Sequence, residues 1–331
     1  MKLVCPAGSL PALTEAVNQG ADAVYLGFRD QTNARAFPGL NFSDQDIRTG
    51  IERARARGCE VYVALNTYPG SARLKHWYAA VDRAADLGVG ALIIAEMAVM
   101  DHATRHHPQL RRHLSVQGSA TTAAALRFYH EQFGISRAVL PRVLSLAQVE
   151  ALAHSSPVEL EVFAYGSLCI MVEGRCQLSS YLTGKSPNTA GVCSPAEFVE
   201  WAETADGREV RLNGVLIDRF EDSEPAGYPT ICKGRYIVDG QQFHALEEPT
   251  SLNTLSLLPR LANAGIVAVK IEGRQRGPAY VGTVTRIWRQ AIDQLKRNPD
   301  GFQTNDEWSA TLARLSEGSQ VTLGPYQRSW Q

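Results

Sequence analysis

Four cysteines stand on turn-forming sequence in the second half of the chain. Cys169 follows Gly166-Ser167, Cys176 lies behind Gly174, Cys193 sits in GVCSP and Cys232 in PTICKGR. Each is beside a turn former, where backbone bends around a small object. Cysteine thiolates are soft ligands and select zinc, copper(I) or iron–sulfur clusters. A cubane 4Fe–4S cluster takes four thiolates, whereas structural zinc usually takes two close pairs of ligands. The gaps here are seven, seventeen and thirty-nine positions, with no close pair. That spacing favours a cluster and leaves zinc open. The plain alternative is four buried free cysteines, since cysteine packs as a small hydrophobe. Small hydrophobes do not call for glycine or proline at every position. Cys5 and Cys59 fall at or near expected strands and read as buried structural thiols.

The elements that must position these residues alternate strand and helix. Short strands are expected at Lys2–Cys5, Ala23–Leu26, Glu60–Leu65, Ala91–Ala95, Leu114–Gln117, Arg137–Leu140 and Glu159–Ala164. Between them run amphipathic helices, several closed by a glycine such as Gly20, Gly58 or Gly88. This rhythm argues a parallel sheet with right-handed crossovers. Seven strands precede Ala164, and Val267–Ile271 after a helix over Leu255–Ala264 makes an eighth. Eight units predict a TIM-like (β/α)8 barrel. A doubly wound sheet is the alternative, but CPAGSLPAL after the first strand lacks the Gly-x-Gly-x-x-Gly fingerprint. The barrel sequence is interrupted after the seventh strand by a turn-rich insertion over 169–249, with strand-like Glu209–Ile217 and Tyr236–His244. The expected organisation is a barrel over 1–297 that includes this cysteine-bearing insertion, followed by a polar C-terminal extension over 298–331.

In such a barrel chemistry sits at the C-terminal strand ends. The residues expected there are Asn33 and Arg35 after strand two, Asn66 and Thr67 after strand three, Glu96 after strand four and Gln117 after strand five. Pro141 and Arg142 end strand six, and Glu272 and Arg274 end strand eight. All four cysteines fall on the same face. Converging arginines suit a carboxylate-bearing ligand, which they grip through paired hydrogen bonds. Taken singly each is an ordinary rim residue; taken as a set they predict a polar pocket. We take Arg35, Asn66, Glu96, Arg142, Glu272 and Arg274 as catalytic candidates. His106-His107 reads as a solvated helix end, and Tyr68, Trp77 and Tyr78 as packing aromatics.

Composition excludes several classes. The chain has 331 residues, 44% hydrophobic, with a formal net charge of -1. A polyanion-binding surface does not dominate such a protein. There is no run of about twenty apolar residues to span a membrane, and the N-terminal stretch has no signal-peptide core. A cytoplasmic location is the default expectation, where cysteines more often bind metal than form disulfides. No Gly-x-Ser-x-Gly, His-Glu-x-x-His or Walker motif appears.

The run E-x-F-x-x-G-S-L-C, four residues, then G-R-C-Q-L-S, from Glu161 to Ser179, resembles the signature of the collagenase-like peptidase family, family U32. CPAGSLPAL, TNARAFPGLNF, LPRVLS, SYLTGKSPNT, ALEEPTSLNTL and VKIEGRQR extend the similarity along the chain, toward the branch of that family called UbiU. The resemblance implies a 4Fe–4S cluster on Cys169, Cys176, Cys193 and Cys232. It implies a heterodimer with a second family member, UbiV, and oxygen-independent hydroxylation in ubiquinone biosynthesis. Prephenate is the hydroxyl donor so implied, and an accessory lipid-binding protein delivers the quinone precursor. Related family members act on tRNA or ribosomal RNA, so an RNA-base hydroxylase is one alternative reading. A non-catalytic cluster-bearing scaffold is another. The near-neutral charge points away from stable nucleic-acid binding.

Overall fold

The computed structural model describes residues 1–169, 171 and 175–327; Gly174, singled out beside Cys176, lies outside the described residues. Up to Ser167 the chain alternates strictly: β1 (Lys2–Pro6), α1 (Leu10–Asn18), β2 (Ala23–Leu26), α2 (Asp44–Arg55), β3 (Glu60–Leu65), α3 (Leu74–Asp86), β4 (Ala91–Ile94), α4 (Met97–His106), β5 (Arg111–Leu114), α5 (Ala123–Phe133), β6 (Arg137–Val139), α6 (Leu146–Ser155) and β7 (Glu159–Ser167). The helix starts follow from local chemistry. Ser43 and Asp46 close a capping box on α2, and Ser145 and Gln148 close one on α6, satisfying amide groups that the first turn leaves without partners.

The insertion follows. It holds two short helices, α7 (Gln177–Thr183) and α8 (Pro187–Ala190). An antiparallel three-stranded sheet comes next, of β8 (Val199–Thr204), β9 (Gly207–Leu212) and β10 (Val215–Phe220), then a hairpin of β11 (Tyr236–Val238) and β12 (Gln241–Phe243). Both stretches expected as strands are therefore hairpins. Asn213-Gly214 and Asp239-Gly240 have positive φ at both residues (48° and 78°, then 52° and 78°), which is the tight-turn geometry that twisted strands prefer. The alternating pattern continues on both sides of each turn, so periodicity alone joined the two arms.

The chain returns to the barrel through β13 (Ser251–Asn253), α9 (Leu258–Asn263), β14 (Ala268–Ile271) and α10 (Pro278–Arg297), and ends in α11 (Asp306–Leu315) and β15 (Val321–Thr322). β14 pairs in parallel with both β1 (Leu3 opposite Val269) and β7 (Val162 opposite Val269). That double pairing closes eight parallel strands into a TIM-like barrel. β13 runs antiparallel to the end of β7, and β15 pairs with β13. The C-terminal segment thus reaches the barrel mouth, and α11 buries Leu312 in the layer between strands and helices.

Side chains alternate across the barrel wall, as strand geometry requires. Val24, Leu26, Val63, Val162 and Val269 face outward into the layer under the helices, where Trp77 and Trp288 are fully buried. The inner face divides in two. Val4, Tyr25, Tyr62, Ala64 and Ile93 form an apolar side. His113, Arg137, Glu161 and Lys270 form a charged side, all below 5% exposure. Lys270 donates to Glu161 at 2.9 Å, and Arg137 bridges Glu161 at 3.2 Å and Glu159 at 2.7 Å. This charged lining explains one correction. β5 spans Arg111–Leu114 rather than the expected Leu114–Gln117, and Val116–Gly118 is a 3-10 turn. Arg111, Arg112 and His113 look unlike a buried strand in sequence. In the barrel Arg111 pairs with Glu60, and the Arg112 guanidinium is held by the Phe133, Leu110 and His107 carbonyls.

Candidate functional site

The barrel mouth, the insertion and the C-terminal segment enclose one cavity of about 990 Å³. Its floor is made by the inward side chains Tyr25, Ala64, Ile93, Val139, Phe163 and Lys270. All four insertion cysteines line its wall, with Arg35, Asn66, Gln117, Arg142, Glu272 and Arg274. Of the six catalytic candidates, five therefore meet around one space. Glu96 does not line it: its carboxylate accepts from Val99 N at 2.8 Å and caps α4. Pro141 likewise lies outside the lining.

Close backbone approach builds the rim. Gly8 lies so near the Arg274 carbonyl that an added Cβ would sit 1.9 Å from its oxygen. Gly166 has φ +130°, and a Cβ there would come within 2.6 Å of the Glu272 Cβ. These two glycines let the loops after β1 and β14 and the end of β7 pack against one another. Asn33, fully buried, then organises the loop after β2. Its Oδ1 accepts from Arg35 N and from the Arg274 guanidinium, both at 3.0 Å. Asn66 Oδ1 accepts from Ala34 N at 2.9 Å. The buried Thr67 donates its hydroxyl to the Gln31 carbonyl. Asn33, Asn66 and Thr67 thus position the loop that carries Arg35.

The charges at the mouth are unevenly matched. Arg35 pairs with Glu272 at 3.4 Å, yet its Nε is buried with no hydrogen-bond partner among the described residues. Burial resists ionisation of Glu272, but the neighbouring Arg35 and Arg142 outweigh it and hold the carboxyl below its ordinary range. Arg142 donates to the Ser167 carbonyl at 2.6 Å and lies over the Phe163 ring at 4.3 Å. Arg274 is 5% exposed, and burial lowers its guanidinium to about 10, so it stays charged at neutral pH. The Gln117 Oε1 is a second buried polar atom in the lining without a partner. Such orphaned atoms are costly in a closed interior and suit a bound polar ligand.

The cysteines approach the same rim. Arg35 lies in the electrostatic field of Cys193 and Cys169, Cys193 in that of Cys176, and Cys232 in that of Cys169 and Cys193. Cys176 caps α7, its sulfur accepting from Ser179 N at 3.4 Å. The Ser179 hydroxyl donates to the Cys193 carbonyl, so two cysteine loops are tied by one serine. Gly191 packs on the Asn33 carbonyl, where a Cβ would stand 2.6 Å away. Cys232 lies in the 3-10 turn Ile231–Lys233, and its carbonyl accepts from Glu247 N at 3.1 Å. Lys233 pairs with Glu317, which also accepts from the Ser167 hydroxyl. The Cys232 loop is thereby tied to β7 and to the C-terminal segment.

This donor set fits an iron–sulfur cubane by composition: four thiols on one cavity wall beside a cationic arginine, which offsets the negative charge of a thiolate-ligated cluster. Among the described residues no three thiols, imidazoles or carboxylates are gathered tightly enough to hold a single ion. Cys169, Cys176, Cys193 and Cys232 would hold the cluster, which would supply one-electron transfer or order the insertion. The other two thiols stand apart. Burial pushes both Cys5 and Cys59 up to about 12, and Cys5 accepts from the Thr285 hydroxyl at 3.2 Å. Both are buried and outside the cavity lining. His107 is not merely a solvated helix end: it and His102 share one Asp82 oxygen at 2.7 and 2.8 Å, and His102 stacks on Tyr78. Trp77 packs in the core, while Tyr68 donates to the Gln117 carbonyl at 2.8 Å beside the cavity.

Lys270 escaped the sequence reading. Its one signal is a lysine at an inward position of the apolar strand AVKI. Lys233 and Glu317, eighty-four positions apart, carried no sequence signal at all.

The model of peptidase family U32 matches residues 8–326. Among curated proteins, the chain is 30% identical over 316 residues to tRNA hydroxylation protein P of Escherichia coli, covering 88% of this chain and 68% of that one. It is 28% identical to tRNA hydroxylation protein P1 of Bacillus subtilis, covering 97% of this chain and 70% of that one. It is also 27% identical to the 23S rRNA 5-hydroxycytidine C2501 synthase of Escherichia coli, covering 89% of this chain and 40% of that one.

Proposed function

Starting from a chain that belongs to peptidase family U32, we propose that it is a 4Fe–4S subunit of an oxygen-independent hydroxylase acting on a ubiquinone precursor, as in the UbiU branch. The observation that carries this reading is the convergence of four cysteines and five arginines, Arg35, Arg142 and Arg274 among them, on one cavity at a barrel mouth. Relatives named for tRNA and rRNA hydroxylation support hydroxylation as the chemistry. The rim arginines suit prephenate, a dicarboxylate, as hydroxyl donor. The partner is a second family member, UbiV, in a heterodimer. The apolar quinone precursor comes from an accessory lipid-binding protein in this reading. A cytoplasmic site of action goes with this reading.

The names of those relatives favour one second reading, hydroxylation of an RNA base. The net charge of -1 counts against it, because phosphate binding needs a basic face. A non-catalytic scaffold role is separated by Glu272→Gln with the cluster retained: unchanged hydroxylation would support the scaffold. The first experiment is iron and sulfide content with an absorption spectrum on protein purified without oxygen, beside Cys176→Ala. About four iron and four sulfide per chain, lost in the variant, is the expected result. One zinc and no sulfide sinks the redox reading. Given the cluster, assay of the quinone precursor against tRNA and rRNA, with the partner present, decides the substrate.

A further inference from the structure

Two buried cations share the Tyr25 ring at the bottom of the cavity. The Lys270 ammonium lies 3.8 Å from the ring centroid and the Arg274 guanidinium 5.7 Å. Both line the cavity, and both are about 5% exposed or less. Their partners differ. Lys270 has Glu161, but Glu161 is also engaged by Arg137. Among the described residues Arg274 makes no ion pair, and its one side-chain hydrogen bond is to the neutral Asn33 amide oxygen. A guanidinium has five N–H donors in a fixed fork, so most of this fork is unused. Arg35 uses the Glu272 carboxylate and still leaves its Nε without a partner. Among these three cations Arg274 is therefore the one that no carboxylate of the described residues pairs. An unpaired buried charge is costly, and a cavity that keeps one is built to receive its counter-ion.

We propose that Arg274 and Lys270, both beside the Tyr25 ring, form a seat for one carboxylate of a small-molecule ligand, which enters the barrel carboxylate-first. Lys270 stands inside β14 and Arg274 just after it, whereas the cysteines stand on the insertion over the mouth, and all line the same cavity. The seated ligand's opposite end therefore faces the mouth that carries the cysteines. The apolar floor residues Ala64, Ile93, Val139 and Phe163 suit a carbon ring between the two ends. A flipped nucleobase, being neutral, gives this seat no counter-charge. The inference rests on the donor reading above and adds to it the deep cations and the ligand's direction.

The test is calorimetric titration of anaerobically loaded protein with prephenate, malonate and inorganic phosphate. Wild type should bind prephenate and, more weakly, malonate. Arg274→Gln and Lys270→Met should each lose at least about tenfold in affinity, or about 1.4 kcal/mol, with iron content unchanged. Arg274→Lys, which keeps the charge, should recover part of the loss and guards against misfolding of the other variants. Wild-type affinity in Arg274→Gln overturns the seat while the donor reading stands. Phosphate binding as tightly as malonate overturns the carboxylate assignment. If wild type binds neither carboxylate, the donor reading fails and the seat with it.

Discussion

Replacing Glu161 with glutamine is the sharpest test of the charged barrel interior. Glu161 is 1% exposed, with Lys270 at 2.9 Å and Arg137 at 3.2 Å. Burial opposes its ionisation, yet those two cations hold the carboxyl below its ordinary range. In Glu161→Gln, Arg137 keeps Glu159 at 2.7 Å, so the loss falls on Lys270. Breaking one side of a buried pair costs roughly 3–5 kcal/mol. An independent bound agrees: a lysine that escapes by losing its proton at pH 7 costs roughly 4–5 kcal/mol, from a reference value near 10.4 at about 1.36 kcal/mol per unit. Lys270→Met should cost less, because Arg137 remains on Glu161. The double variant should be more stable than Glu161→Gln alone, since no charge is stranded. Urea unfolding midpoints of the four proteins at pH 7.5 measure all three differences. A Glu161→Gln loss below about 1 kcal/mol, or a double variant no better than that single one, would refute the account of the interior.

Three further outcomes are expected. His113 is buried against the Tyr62 ring, among Glu161, Arg137, Lys270 and Arg111, and burial lowers its imidazole to about 3. The unfolded chain therefore binds a proton that the folded chain refuses, so stability is complete above about pH 6.5 and falls toward pH 3; His113→Gln should flatten that slope by up to about 1.4 kcal/mol per pH unit, read from urea midpoints at pH 7.5, 5.5 and 4.5. Gly166→Ala forces a side chain into φ +130° against Glu272; it should cost at least about 1–3 kcal/mol in the same unfolding assay, and an unchanged midpoint contradicts the packing at the rim. Glu317→Gln removes the ion pair that ties Lys233, and with it the Cys232 loop, to β7; it should lower stability by about 1–3 kcal/mol and speed iron loss to a chelator, and equal rates would show that the tie does not steady that loop.

The division between sequence and tertiary structure has a physical basis at each site. The barrel was legible because local signals agree with it: glycines after helices, and apolar strands of four to six residues such as Ala23–Leu26 and Glu60–Leu65. The cysteines and most rim residues were legible because a barrel sends strand ends to one face, whatever the side chains there do. Glu96 shows the limit of that rule, since the end of β4 serves as a helix cap instead. β5 was misplaced because its arginines and histidine are buried by partners far along the chain, which no local pattern records. The two hairpins were hidden in continuous alternation, although Asn-Gly and Asp-Gly were present as turn signals. Composition alone determined the soft donor set and the near-neutral charge. Only the tertiary structure decided that Lys270 and Arg274 share one ring, that Arg35 stands beside the thiols, and that Glu317 ties the tail to a cysteine loop. Such pairings depend on strand order and barrel closure, which bring together residues whose separation in sequence carries no information.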